Sequence, residues 1–194
     1  MDFSSQNEWD GQVFKKLQII DADLSNKALE DCVFEDCDFV NCSFKNTSWI
    51  NCTFRDCNLS NTAIVNCQFD EVKFEQCKLL GLNFSLCKKL LFSIKTEKCN
   101  LMLCNFSNLK LQGMSFAGST IVDCDFFGAD LMKGDFSNCE LKGSLFENCD
   151  LRQADFRGAT TYAIDPLKNK VKKARFSMPE VLSFLAPYEL VIDG

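Results

Sequence analysis

Large apolar residues recur every five positions along most of this chain. In the stretch 30–60 they are Phe34, Phe39, Phe44, Trp49, Phe54 and Leu59. Two places before each stands a small residue: Cys32, Cys37, Cys42, Thr47, Cys52 or Cys57. Neither the 3.6-residue helical period nor strict alternation accounts for a spacing of five, and a short fixed period repeated many times marks a solenoid. In extended backbone, positions two apart point the same way. The large residue, here called the centre, and the small one, its inner partner, therefore both point inward. The polar residue between them points out, and the two that follow turn a corner. Four units close a coil of about twenty residues, and coils stack as parallel strands about 4.8 Å apart.

The frame starts with weak units at Phe14, Ile19 and Leu24 and runs to Phe84. The next centre would be Lys89, whose charge cannot sit unpaired in an apolar column. The frame resumes at Cys99 and Leu101, after two extra residues, and continues to Phe156. The extra residues are expected to bulge around Lys95, Thr96, Glu97 and Lys98, either as a tolerated corner insertion or as a recognition loop. Corners of the first block are rich in Asn and Asp, such as Asn26, Asp31, Asn41, Asn51 and Asn61, which suit turns. Corners of the second block bring Gly113, Gly118, Gly128, Gly143 and Gly158, which suggests a second corner geometry using positive φ.

This arrangement resembles the pentapeptide-repeat family, A-(D/N)-(L/F)-x-x. The resemblance implies an all-β solenoid, a right-handed quadrilateral parallel β-helix, here followed by a short C-terminal α-helix and strand. The expected divisions are an N-terminal cap over 1–11, the β-helix over 12–161 with its irregular break near 88–98, and a C-terminal cap and dimerisation segment over 162–194. In the tail, Pro166 falls at a centre and interrupts the coil, while Val171 and Phe176 stay in frame. Ser177-Met178-Pro179-Glu180 reads as a capping box opening a helix that ends near Pro187, followed by a strand at Leu190-Val191-Ile192.

Composition narrows the chemistry. The 13 cysteines all fall at inner-partner positions, so they read as reduced core volume. No two stand at C-x2-C spacing, so a metal framework is not indicated. With 0 histidines and no nucleotide or nucleophile motif, nothing points to an enzyme or a cofactor. The formal net charge of −6 argues against nucleic acid or an anionic membrane as direct partner. The absence of a signal-peptide pattern and of a long apolar run leads us to expect a cytoplasmic protein.

What remains is the outer surface. A spacing of twenty stacks Asp130 under Asp150 and Asp135 under Asp155, a repeated like-charge register that is mildly unfavourable unless used. Met102, Val122, Phe127 and Met132 are apolar at outward positions, and Lys168, Lys170, Lys172, Lys173 and Arg175 form a basic cluster expected to pair with acidic coils. The order of β-helix, helix and strand is similar to that of the quinolone-resistance pentapeptide proteins. That resemblance implies a non-enzymatic, acidic DNA mimic that acts on a type II topoisomerase, DNA gyrase or topoisomerase IV, and dimerises through its C-terminal end. The alternative is a generic interaction or scaffold module. The helix residues Val181, Leu182, Phe184 and Leu185 are apolar all round and need two surfaces to bury them. One is the chain's own last coil; the other, with Leu190 and Ile192 extending the contact, is expected to be a second copy.

Overall fold

The computed structural model describes Phe3 and residues 6–190. It is a parallel β-solenoid of about eight turns. Short strands pair at a spacing of twenty: Glu8–Asp10 with Ala28–Glu30, these with Ser48–Ile50, and these with Gln68–Asp70. Three further ladders run at the other positions of the coil, through Phe14/Phe34/Phe54, through Ile19/Phe39, and through Asp23/Ser43/Ala63. The repeat begins one unit earlier than the sequence suggested, because Trp9 occupies a centre in register with Leu29. Phe3 closes the first coil, its ring 5.1 Å from Phe14 and 5.6 Å from Phe34.

The centres fill the coil axis. Phe54 stacks between Phe34 and Phe74, with ring centroids 4.9 and 5.1 Å away and planes within 14°. The same stacking joins Phe106, Phe126 and Phe146, and joins Phe116, Phe136 and Phe156. All 13 cysteines are buried and free. Most inner partners that carry a donor do more than fill space, because they donate to a carbonyl in the coil beneath. Cys67 Sγ donates to the Phe44 carbonyl at 2.8 Å, Thr62 Oγ1 to Phe39 at 2.8 Å and Ser144 Oγ to Ile121 at 3.0 Å, all 23 residues back. Small side chains with a weak donor are therefore suited to this position, which explains Cys, Ser and Thr together. Burial pushes the Cys67 and Cys139 thiols up to about 12 and Cys149 to about 11, values at which a thiol is inert near neutral pH.

The two extra residues lie earlier than expected. Lys95, Thr96 and Glu97 belong to the strand Ile94–Glu97, paired with Val72–Glu75 at a spacing of 22. Thr96 is fully buried, at a centre position. Lys98 turns the following corner at φ 52°. The bulge is residues 88–92. Lys89 is exposed, and Phe92 swings in to pack on Phe69 and Phe84, replacing the charge with a ring. The thiol bonds record the insertion: Cys99 and Cys104 donate 25 residues back, to Phe74 and Leu79, where thiols on either side of the insertion, such as Cys77 and Cys124, donate 23.

The corners are left-handed in both blocks. Asp31, Asn41, Asn51 and Asn61 have φ between 49° and 56°, and Gly113, Gly128 and Gly143 between 66° and 69°. Positive φ is thus common to the whole solenoid. A hydrogen-bonded tight turn follows most centres of the second block, such as Met114 N–H to Leu111 O at 3.2 Å and Gly134 N–H to Leu131 O at 2.9 Å, and fewer of the first, such as Thr47 N–H to Phe44 O at 3.0 Å.

At the far end Ile164 takes the place that Pro166 cannot fill, pairing with Phe146, and Phe176 stacks on Phe156 at 5.1 Å. The terminal helix is a 3-10 helix, Glu180–Tyr188, rather than an α-helix, and it continues past Pro187. Ser177 does not cap it, because its hydroxyl accepts the Gly158 N–H at 3.1 Å. Val191 and Ile192 of the expected last strand lie outside the described residues.

Candidate functional site: the outer faces of the solenoid

Strand alternation sends the residues flanking each centre outward, and stacking turns them into columns. On the face carrying Phe14, Phe34, Phe54 and Phe74 the columns alternate in sign. Lys15, Glu35, Arg55 and Glu75 form a ladder of ion pairs at 2.5, 3.6 and 2.8 Å. The Lys15 ammonium and then Arg55 hold the Glu35 carboxyl below the usual carboxylate range. This face neutralises itself.

The adjoining face, carrying Trp9, Leu29, Trp49 and Phe69, is different. Its outward and corner positions hold Glu8 and Asp10, then Glu30 and Asp31, then Asp70 and Glu71. No lysine or arginine stands among them, and none of the six makes an ion pair among the described residues. Asp31 accepts only the Asn51 side-chain amide, at 2.5 Å. A shallow groove of about 300 Å³ runs between Glu8, Asp10, Glu30 and Ile50. The signal was present in the chain as Asp10, Glu30 and Asp70 in one twenty-residue column, with Ile50 interrupting it.

The four aspartates picked out from sequence do stack as expected, Asp130 with Asp150 and Asp135 with Asp155. Their charges are largely spoken for. Asp150 takes the Arg152 guanidinium at 2.6–3.0 Å and has Lys170 at 3.9 Å; Asp155 takes Arg157 at 2.5–3.0 Å and has Arg175 at 3.7 Å. The arginine hydrogen bonds hold both carboxyls below the ordinary range. Each also accepts the backbone N–H two residues on, as do Asp130 and Asp135, so all four build turns. Asp130 further accepts the Gln112 side-chain amide. Like charges in register are offset locally by arginine. The basic cluster pairs with acidic coils in part: Lys168 reaches Glu147 at 3.2 Å, and Lys170 and Arg175 reach the aspartates just named.

The expected loop residues are not a protrusion. Lys95 pairs with Glu97 at 2.5 Å along its strand, and a groove of about 720 Å³ opens beside it, between Phe92, Lys95, Lys110 and Met114. The projecting residues are Leu90, 80 % exposed, and Leu91, 60 % exposed.

At the C-terminal end, Phe184 packs edge-on against Phe176 at 4.8 Å and near Tyr162 at 6.1 Å. Val181 is half-buried, while Leu182, Leu185, Tyr188 and Leu190 remain exposed, together with Met178 and Leu167. One face of the helix thus closes the solenoid and the other is left apolar and open. Among the described residues no group of three or more His, Cys, Asp or Glu could hold a metal ion, and no helix is long and apolar enough to cross a membrane.

The family model described as "Pentapeptide repeat region" matches residues 27–96 and 99–176, its gap falling at Glu97 and Lys98, where the strand that follows the bulge ends. The chain belongs to the pentapeptide-repeat family. No curated protein matches it in sequence. Two solved structures of trypsin-treated QnrB1, described as a plasmid-mediated fluoroquinolone resistance protein, match its fold. One has a TM-score of 0.85 at 16% identity, covering 96% of both chains. The other has a TM-score of 0.79 at 16% identity, covering 96% of this chain and 100% of that one. At that identity the likeness extends to the fold of this pentapeptide-repeat protein, and its surface must be read on its own.

Proposed function

We propose that this protein is a non-enzymatic binding protein that presents an acidic, DNA-like stripe to a type II topoisomerase, DNA gyrase or topoisomerase IV, and acts in the cytoplasm. The observation that carries this is the unpaired stripe of Glu8, Asp10, Glu30, Asp31, Asp70 and Glu71. Its six carboxylates span four coils, roughly 14 Å at about 4.8 Å per step. That is about one charge per 2.4 Å, between the values of about 3.4 Å for one DNA strand and about 1.7 Å for the duplex. Spread over the whole rod the net charge of −6 would be far too sparse, so the density of one face matters more than the total. Asp130, Asp135, Asp150 and Asp155 contribute less, since arginine offsets two of them.

The open apolar face of Leu182 and Leu185, with Leu190 beside it, supports an end-to-end homodimer through residues 177–194. The fold shared with QnrB1 supports a quinolone-related role. The test is DNA supercoiling by gyrase, with and without a quinolone, across a titration of the purified chain. Inhibition of supercoiling alone, or rescue in the presence of drug, is the expected result. No effect on either at a several-fold molar excess over enzyme turns the assignment to the second reading, a scaffold module for another partner. The self-neutralised Lys15/Glu35/Arg55/Glu75 ladder, a surface with no net field, favours that second reading.

A further inference from the structure

The acidic stripe is one half of a longer face. The same side of the coil can be followed through nine rungs: 8–11, 28–31, 48–51, 68–71, the bulge at 88–92, then 110–113, 130–133, 150–153 and 170–173. Lys88 N–H still donates to the Cys67 carbonyl as its counterparts do one coil earlier, which keeps the bulge on this face. The first four rungs carry six carboxylates and no cation. The last four carry Lys110, Lys133, Arg152, Lys170, Lys172 and Lys173 against two carboxylates, Asp130 and Asp150. Lys110, Lys133, Lys172 and Lys173 are exposed and make no ion pair among the described residues. The fifth rung, midway, projects Leu90 and Leu91.

We propose that this face binds the same face of a second copy, antiparallel, about a two-fold axis through the bulge. An axis there maps rung one onto rung nine, so Glu8 and Asp10 face the copy's Lys170, Lys172 and Lys173. Rung two sets Glu30 and Asp31 against Arg152, whose charge Asp150 already shares, so it contributes less than rungs one and four. Rung four sets Asp70 and Glu71 against Lys110, and the uncharged third rung sets Ile50 against Met132. At the axis Leu90 and Leu91 meet their own copies. An apolar centre with charged flanks is the ordinary anatomy of a protein interface, and an isologous contact requires a surface complementary to itself. Parallel stacking would set acid on acid and base on base, so the charge pattern selects one orientation. The face is about 40 Å long and on the order of 500 Å² per chain, which belongs to the class of weak, transient contacts. This contact differs from the C-terminal one and does not depend on the topoisomerase reading. It would cover the acidic stripe, so self-pairing and any ligand of that stripe exclude each other.

Sedimentation equilibrium of the full chain carrying Leu182→Asp/Leu185→Asp removes the end contact and isolates this one. Association is expected to weaken at least tenfold between 50 and 500 mM salt, roughly as screening of several close ion pairs requires. On that background, Glu8→Lys/Glu30→Lys/Glu71→Lys alone and Lys110→Glu/Lys133→Glu/Lys172→Glu alone should each lose association at least tenfold. An equimolar mixture of the two should regain it, because one face is then net basic and the other net acidic. A second measurement uses the full chain without charge changes. Leu90→Cys places one exposed thiol at the axis, and under mild oxidation it should form a disulfide between copies at least tenfold faster than Ile20→Cys on another face. Salt-independent association, no recovery in the mixture of two folded variants, or equal cross-linking at positions 90 and 20 overturns the proposal.

Discussion

The two blocks of the solenoid, residues 8–86 and 94–176, solve one problem in two ways. Every corner needs a left-handed residue, which costs about 1–2 kcal/mol for side chains other than glycine. The first block offsets that cost with side-chain ladders. Asn41 Nδ2 donates to Asp21, Asn61 to Asn41, Asn46 to Asn26 and Asn66 to Asn46, each 20 residues back at 2.8–3.3 Å. The second block places glycine at some of these corners, Gly113, Gly118, Gly128, Gly143 and Gly158, keeps side chains such as Leu103, Asn108 and Gln153 at others, and closes hydrogen-bonded tight turns more often. The two devices meet where a glycine lies over an Asn or Asp: a Cβ at Gly143 would stand 2.1 Å from Asp123 Oδ1, and at Gly128 2.6 Å from Asn108 Oδ1. Identical inward chemistry thus leaves the outward surface free to differ. One block carries the unpaired acidic stripe and the other a basic face with arginine-held aspartates.

If the inward chemistry is shared, removing a ring should cost the same in either block. Phe54→Ala and Phe126→Ala should each lose about 3–5 kcal/mol by chemical denaturation, the usual cost of a buried phenylalanine. A loss below 1 kcal/mol at one site and not the other would show that the two columns are packed differently.

The corners should then separate the blocks. Gly113→Ala, with open space around its Cβ, should lose about 1–2 kcal/mol from backbone strain alone. Gly143→Ala should lose more, because the Asp123 carboxylate must also leave. Equal thermal shifts for the pair would mean that the close approach over Asp123 is not felt.

At the start of the second block, Thr96 occupies a centre position between Phe74 and Phe116 levels, and its buried hydroxyl has no hydrogen-bond partner among the described residues. Thr96→Val should therefore stabilise the chain by about 1 kcal/mol, since an unsatisfied buried hydroxyl costs about 1–3 kcal/mol. A loss of stability on this change would return residues 95–98 to the surface loop that sequence alone suggested.

The smallest effect is on acid stability. The folded pKa values of Asp150 and Asp155 lie below the unfolded value, so their contribution is complete above the ordinary carboxylate range near about pH 4. It is lost as pH falls through the depressed values. Asp150→Asn/Asp155→Asn should flatten stability against pH below about pH 4 and leave the slope near neutrality unchanged. An altered slope only above pH 5 would place the titration on other groups.

Much of this was legible in the chain because a period of five leaves a ring every fifth residue and a thiol two before it. The stacking partners of Phe54 and the burial of every cysteine follow from counting. The place of the two-residue insertion does not, because counting from Phe84 to Leu101 gives how many residues are extra and not where they go. Lys89 and Phe92 exchange roles, and only packing against Phe69 and Phe84 decides it. The helix after Ser177 looked capped, yet the Ser177 hydroxyl is drawn off by Gly158, a contact between coils invisible in local sequence. The acidic stripe is hard to read in the chain because its members are twenty apart and interrupted by Ile50, whereas Asp130/Asp150 and Asp135/Asp155 repeat without a break. Their arginines stand only two residues on, at Arg152 and Arg157, and cancel much of what the pairs offer.

The most direct test of the central claim is binding of immobilised gyrase to three forms of the chain at fixed salt. These are the wild type, Glu30→Gln/Asp31→Asn/Asp70→Asn/Glu71→Gln, and Asp130→Asn/Asp135→Asn. The wild type and the second-block variant should bind within threefold of each other, and the first-block variant at least tenfold more weakly. Equal binding by all three, each shown folded by its thermal melt, would contradict the acidic stripe as the contact surface.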